Sequence, residues 1–317
     1  MKIHFWPLLL AFSLLGFRAH AQGCSDAGFC TMGAMKPDQH FSKKLNLKLR
    51  SMELSFYRGT TTLTPIVKSV TADLNFSLNS KNTIQVKLPY QWVDGHLGHT
   101  KDLGDISLCY TRALITKENM GLSVSLGAKI PTNNANKTTY DKTLNKDLPL
   151  PMYYQTSLGS YDVISGISMI NRKWLFATGI QIPLTQNKNE FLWGKWNGSS
   201  EEQSYVNKYA KAKDLKRGID VMLRLERNFR FSRLNFSVGA LPIYRIRKDE
   251  ITNPAGKREK PDGTTGLALS VIGTVGYSFN VRNGIKILAG HKLTQRQVNP
   301  DGLTRHLVTS VTYFYRF

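Results

Sequence analysis

Long apolar runs are missing from this chain. No stretch reaches the about 18 residues that a membrane-crossing helix needs, and mean hydropathy is −0.29. A helical membrane bundle is therefore excluded. Cysteine is scarce, with three in 317 residues, too few for a disulfide-built scaffold. Acidic residues are also few: 22 Asp+Glu face 43 Lys+Arg, a formal net charge of +21. Aromatics are plentiful at 10%, and with many β-branched residues they argue against a disordered chain. No phosphate-cradling glycine loop, dinucleotide fingerprint or zinc-type cysteine spacing occurs, so no cofactor is expected.

The first segment reads as an address. Lys2 gives a positive start, Ile3 to Phe17 is nearly all apolar, and Ala19-His20-Ala21 fits a signal-peptidase site. Residues 1–21 are expected to be a removed leader, with cleavage near Ala21. Cys24 is not read as a lipidated residue, because Ala21-Gln22-Gly23 before it lacks the usual Leu. Export favours oxidised thiols. Cys24 and Cys30 are candidates for a local disulfide, with two free thiols as the alternative. Cys109 lies in an apolar alternating stretch and reads as a small buried or lipid-facing residue.

From residue 45 onward the pattern has period two. Ile84, Val86, Leu88, Tyr90 and Trp92 alternate with Gln85, Lys87, Pro89 and Gln91. Leu122 to Ile130, Leu234 to Ala240 and Leu307 to Phe317 repeat the pattern. One apolar and one polar face per segment is a strand signal. Strands are expected near 46–58, 64–78, 82–93, 104–117, 119–130, 159–171, 173–184, 216–229, 231–247, 265–280, 283–296 and 305–317.

Connection length separates two all-β readings. Links after even strands are tiny, while most after odd strands are long: 94–103, 131–158, 185–215 and 248–264. A soluble sandwich has no reason to sort its loops by parity. A transmembrane antiparallel up-and-down β-barrel of about 12 strands does, with short periplasmic turns and long extracellular loops. Aromatics near the expected strand ends suit an interfacial girdle. Tyr313, Tyr315 and Phe317 end the chain with aromatics at alternate positions, like the C-terminal sorting signal of bacterial outer-membrane barrels. Residues 45–317 are thus expected to form the barrel in the outer membrane of a Gram-negative-type bacterium. Its expected partners are outer-membrane lipid and lipopolysaccharide, and the barrel-assembly machinery through the last strand.

The charge sits in the wall. Without Lys2 and Arg18 the net is +19; the four long links together with 297–304 cancel to zero, residues 22–45 carry +1, and strands and short turns keep +18. Lys81, Arg172, Lys173, Arg230 and Arg282 fall at the expected periplasmic border. Lys48, Lys87, Lys129, Arg224, Arg245, Arg247, Lys286 and Lys292 are expected to point into the lumen, since a charge on the lipid face costs about 2–4 kcal/mol at the midplane. Asp73, Asp105, Asp220 and Glu226 fall inward too. A cationic lumen favours anions; an ion-paired interior that stiffens the barrel is the alternative. No nucleic-acid partner is expected, because the basic residues do not cluster with aromatics on one face.

Two constellations have residue types that could carry chemistry. Asp94, His96, His99 and Asp102 fall within nine residues, donor types that suit a divalent metal, but no expected element fixes them. No metal site is assigned. An outer-membrane hydrolase needs a nucleophile beside a His base. His291 and His306 fall on adjacent expected strands, and His306 and Ser310 share a face about 13 Å apart. No enzyme is expected.

A run of residues resembles a known family. Leu103-Gly104-Asp105-Ile106 is followed by Gly127-Ala128-Lys129-Ile130-Pro131-Thr132, then Leu158-Gly159-Ser160-Tyr161-Asp162 and Gly166. This is similar to the outer-membrane family of the MetA pathway of phenol degradation, related to FadL-type transporters of hydrophobic compounds. Ile130 replaces that family's Leu, and its Leu-Gly-x-Gly-Ser-x-Asp segment is shortened here. The likeness covers roughly 104–184. It implies a barrel that passes or binds small-molecule solutes, hydrophobic or anionic. It also implies that residues 22–44 are either a lumen plug or a periplasmic arm. A non-transporting surface barrel, structural or adhesive, acting through loops 131–158 and 185–215, is the alternative. Loop 185–215 carries Phe191, Trp193 and Trp196.

Overall fold

A computed structural model describes residues 32–36, 48–61, 63–117, 119–303 and 305–317. The expected leader and the Cys24–Cys30 pair lie outside the described residues. Along the chain run β1 (Lys48–Thr60), β2 (Ile66–Ser77), β3 (Asn82–Gly95), β4 (Gly98–Leu103), β5 (Ile106–Thr116), β6 (Met120–Ile130), β7 (Thr138–Asp141), β8 (Lys146–Pro149) and β9 (Asp162–Asn171). They continue with β10 (Trp174–Pro183), β11 (Asp220–Arg230), β12 (Leu234–Arg245), β13 (Ile251–Thr252), β14 (Arg258–Glu259), β15 (Gly266–Ser278), β16 (Asn283–Lys292) and β17 (Leu307–Arg316).

Twelve of these close a ring. β1, β2, β3, β5, β6, β9, β10, β11, β12, β15, β16 and β17 pair antiparallel in chain order. β17 returns to β1, from Ser51 opposite Arg316 to Thr60 opposite Leu307. The faces are inverted relative to a soluble sandwich. Phe56, Leu108, Leu126, Val238, Val275 and Val311 lie exposed on the outside, while Glu53, Asp73, Gln85, Ser125 and Arg224 are buried inside. An apolar band outside and a polar lumen is the membrane-barrel arrangement.

The tight turns lie at one end, at 78–81, 117–119, 172–173, 231–233 and 279–282. Three share one device. Asn79, Asn171 and Asn280 each accept backbone N–H bonds two and three residues on, at 2.7–3.0 Å. An Asn carboxamide that mimics a backbone turn holds the register there. Most connections at the other end are long: 131–161, 184–219, 246–265 and 293–306.

One expected loop is not a loop. Residues 94–103 form a hairpin that carries the wall outward. The outer half of β3 pairs with β4, and Gly95 faces Gly98 across a two-residue turn. The inner half of β3 pairs with β5. β1 also carries a bulge at Arg50, where the register steps from Leu49 opposite Phe76 to Ser51 opposite Asn75. The extra residue leaves Lys48 opposite Ser77. The Lys48 side chain lies outside the described set.

Candidate functional site

Parity brings most of the expected lumen residues inside. Lys129, Arg224, Arg245, Lys286 and Lys292 are buried, as are Asp73, Asp105, Asp220 and Glu226. Lys87 is half-buried on the inner face of β3. Arg247 differs. β12 ends at Arg245, so two residues later the chain has left the wall and Arg247 is exposed.

The basic groups do not stand alone. Lys129 reaches Asp105 at 3.5 Å, Arg224 pairs with Glu226, and Lys286 lies 3.8 Å from Glu53. At the long-loop end Arg245 grips Asp220 at 2.6 Å, Asp249 at 2.8 Å and Asp301 at 2.8 Å. Arg296 joins them at 3.3 Å from Asp301, and Arg217 pairs with Asp162. Burial pushes the Asp249 carboxyl up despite Arg245. At Asp301 burial is outweighed by Arg296 and Arg245, which hold it far below the usual carboxylate range. Glu53, Asp162, Asp249, Asp301, Arg217 and Arg296 were not legible as lumen residues. All but Glu53 belong to strand ends or loops, which carry no period-two signal.

A piece of the N-terminal region lies inside the barrel. Residues Gly33–Met35 form one short helical turn. Met32 and Met35 are buried against Cys109, Ile164, Ala177 and Met222 of the inner wall. The wall makes room with glycine: a Cβ on Gly166 would fall 2.7 Å from the Met35 sulfur, and one on Gly127 would fall 3.1 Å from the Met32 methyl. Gly33, at φ +50, comes so close that its own Cβ would sit 2.4 Å from the Cys109 sulfur. A strand glycine marks close approach of another backbone. The Gly33 N–H donates to Gln85 Oε1 at 2.7 Å. Lys36 then bridges Glu53 at 3.0 Å and Asp73 at 2.9 Å.

Beside this segment lies a chamber of about 90 Å³. Lys36, Lys87, Arg224 and Lys286 supply its cations, and Glu53 and Asp73 its carboxylates. Hydroxyls come from Ser55, Tyr57, Thr71, Thr274, Ser310 and Thr312, and a short apolar strip from Ile272, Leu288 and Val308. The lining suits a small anion that also has an apolar side, since ammonium, guanidinium and hydroxyl donors converge on it.

The far end is covered by the long connections. Tyr154, Phe191, Trp196, Val206 and Tyr209 from 131–161 and 184–219 pack with Tyr57, Val67, Val93 and Val308 of the wall. The Trp196 indole donates to Pro149 O at 3.0 Å, and Asn189 donates to Ala135 O at 2.7 Å and Leu150 O at 3.1 Å. Burial pushes the Tyr154 and Tyr209 phenols up. The two outer histidines go to different partners: His96 to Glu201 at 2.8 Å and His99 to Asp94 at 3.1 Å. Among the described residues no three metal-ligating side chains converge. The His291 and His306 rings meet edge-on, centroids 5.4 Å apart. His291 stands opposite Leu307 on the outward face of β16.

No protein-family profile matches the chain, and no curated protein matches it. Solved structures do. The crystal structure of an outer-membrane channel from Pseudomonas putida F1 is similar over 89% of this chain and 99% of that one, with a TM-score of 0.57 and 13% identity. A looser likeness joins the CymD monoaromatic hydrocarbon channel, over 94% of each chain, with a TM-score of 0.41 and 11% identity. The likeness to the first is one of fold: this chain has the outer-membrane barrel architecture.

Proposed function

We propose that this chain is an outer-membrane channel for small solutes, closed at rest, that accepts a small organic anion in its lumen. The observation that carries this reading is the chamber where Lys36, Lys87, Arg224 and Lys286 converge with six hydroxyls. The resemblance at 104–184 favours a hydrophobic solute, and the lining favours negative charge. A carboxylate on an apolar body satisfies both. Residues 32–36 act as the inner closure and the loop cap as the outer one. Tyr313, Tyr315 and Phe317, alternating aromatics at the end of the chain, serve as the assembly signal. A surface barrel that works through its cap is the second reading. Its support is the cap's own apolar core, which a passive pore does not need.

The test is planar-bilayer conductance under a KCl gradient. Three forms are compared: the exported chain, one lacking residues 22–44, and one also lacking residues 188–212. The first is expected to be silent. The doubly trimmed form is expected to conduct steadily with a reversal potential favouring chloride, and neutralising Lys87 and Arg224 should reduce that preference. Silence or potassium preference in the doubly trimmed form overturns the reading.

A further inference from the structure

On the outer wall, near the long-loop end, the register lines up an unusual row. Arg58 stands opposite Lys68, Lys68 opposite Trp92, and Trp92 opposite Lys101. All four side chains lie on the outward face. Facing strands are about 4.8 Å apart, so three cations and an indole fall within about 15 Å. Like charges directly opposite one another destabilise a sheet. Lys68 is relieved in part by Asp94 at 3.2 Å. Asp94 also takes His99. Among the described residues no carboxylate lies within ion-pair distance of Arg58.

The next outward row toward the short-turn end is apolar. Phe56 stands opposite both Val311 and Val70, and Val70 opposite Tyr90. Two residues along a strand separate the rows by about 7 Å. The two rows border one open groove of about 580 Å³, with Phe56, Val70 and Val311 as its floor and Arg58, Lys68, Trp92 and the Asp94 carboxylate at its head. Phe56 is 57% exposed there.

We infer that this groove is a binding site for an acylated, phosphate-bearing lipid of the outer leaflet. The phosphate sits between Arg58 and Lys68, and an acyl chain runs down over Phe56. Three observations fit together. A guanidinium beside an ammonium matches a phosphate, which Arg grips bidentately. The head lies within about 7 Å of the loop end of β1 and β2, where lipid phosphates sit beside an aromatic belt. The charged and apolar rows are stacked in the order an amphiphile presents them. The site rests on the membrane reading of the barrel and is independent of what crosses the lumen.

The experiment uses the whole exported chain, folded in detergent, with folding confirmed by heat-modifiable gel migration. Native mass spectrometry counts retained lipid A in its phosphorylated and dephosphorylated forms, with inorganic phosphate as a competitor. One phosphorylated lipid is expected to be retained. Loss of the phosphate, or the double change Arg58→Ala with Lys68→Ala, is expected to weaken retention about tenfold or more. Arg227→Ala removes an outward cation stacked on Trp174 near the short-turn end and should leave retention unchanged. The swap of Arg58→Lys with Lys68→Arg should keep most of it. Equal retention of the two lipid forms overturns the inference, as does an unaffected double variant or an equal loss on Arg227→Ala. Displacement of the lipid by millimolar inorganic phosphate would assign the site to free phosphate and also overturn it. A chain that fails to show a folded barrel on the gel would instead count against the membrane reading.

Discussion

Replacing Arg245 with Met removes the guanidinium that Asp220, Asp249 and Asp301 share. The three carboxylates are not left equally exposed to the loss. Asp301 keeps Arg296 at 3.3 Å, and Asp220 keeps the same group at 3.9 Å. Asp249 keeps the Gly218 N–H at 2.7 Å, and Arg245 is its ion-pair partner among the described residues. A buried carboxylate stripped of its partner costs about 3–5 kcal/mol, and burial already pushes Asp249 up. Arg245→Met should therefore destabilise by that amount at pH 8. Asp249 then gains a proton in the folded barrel at a pH where the unfolded chain has lost it. Stability of the variant should rise as pH falls, by up to about 1.4 kcal/mol per pH unit, and be lost again as pH climbs through the folded value. Adding Asp249→Asn should recover much of the loss at pH 8, and the gap between single and double variants should close in acid. Guanidinium unfolding followed by tryptophan fluorescence in vesicles measures all of this. A double variant no more stable than the single one at pH 8 would refute the reasoning.

Four shorter predictions follow from the same geometry. Gly33→Val, placed against Cys109 and Ser125, should expel residues 32–36. With Cys24 and Cys30 replaced by Ser, Cys109 should then react faster with a water-soluble maleimide. Trp196→Ala empties the centre of the cap at a cost of about 3–5 kcal/mol, and trypsin should begin to cut at Lys208, Lys211 and Lys213. Above pH about 10 the unfolded phenols ionise while buried Tyr154 and Tyr209 hold their protons. Cap stability should fall as pH rises past that point, read as onset of tryptic cutting. Deleting Phe317, whose N–H donates to Arg50 O at 3.0 Å, should lower the yield of folded barrel in the membrane fraction.

The wall was readable because a half-buried strand writes its structure every second residue. Val86 and Lys87 announce their faces without help from any distant part of the chain. The cap was not readable for the opposite reason. Asn187, Asn189, Tyr154 and Trp196 earn their places through partners 28 to 90 residues away, with no period between them. Net charge misled in a related way. The long segments expected from the sequence, 297–304 included, sum to zero, which suggested no electrostatic part for them, yet Asp249 and Asp301 fold in to meet Arg245. Arg247 was placed inside by extending alternation past the end of β12. The docked segment left one faint trace, Met32 and Met35 spaced three apart with Gly33 between them, answered by Gly127 and Gly166 in strands that otherwise favour larger residues.

The pairing of β17 with β1 has a consequence for how the molecule can fail. Until Leu307–Arg316 is in place, the other strands make a curved sheet with two bare edges, β1 and β16. Each edge presents unpaired N–H and C=O groups, which invite another chain to add on. One strand satisfies both edges at once, from Ser51 through Thr60 on one side and from Asn283 through His291 on the other. Shortening the chain at that point would not yield a slightly weaker barrel. It would yield an open, adhesive sheet, so closure of this ring is the step that separates a finished barrel from an aggregate.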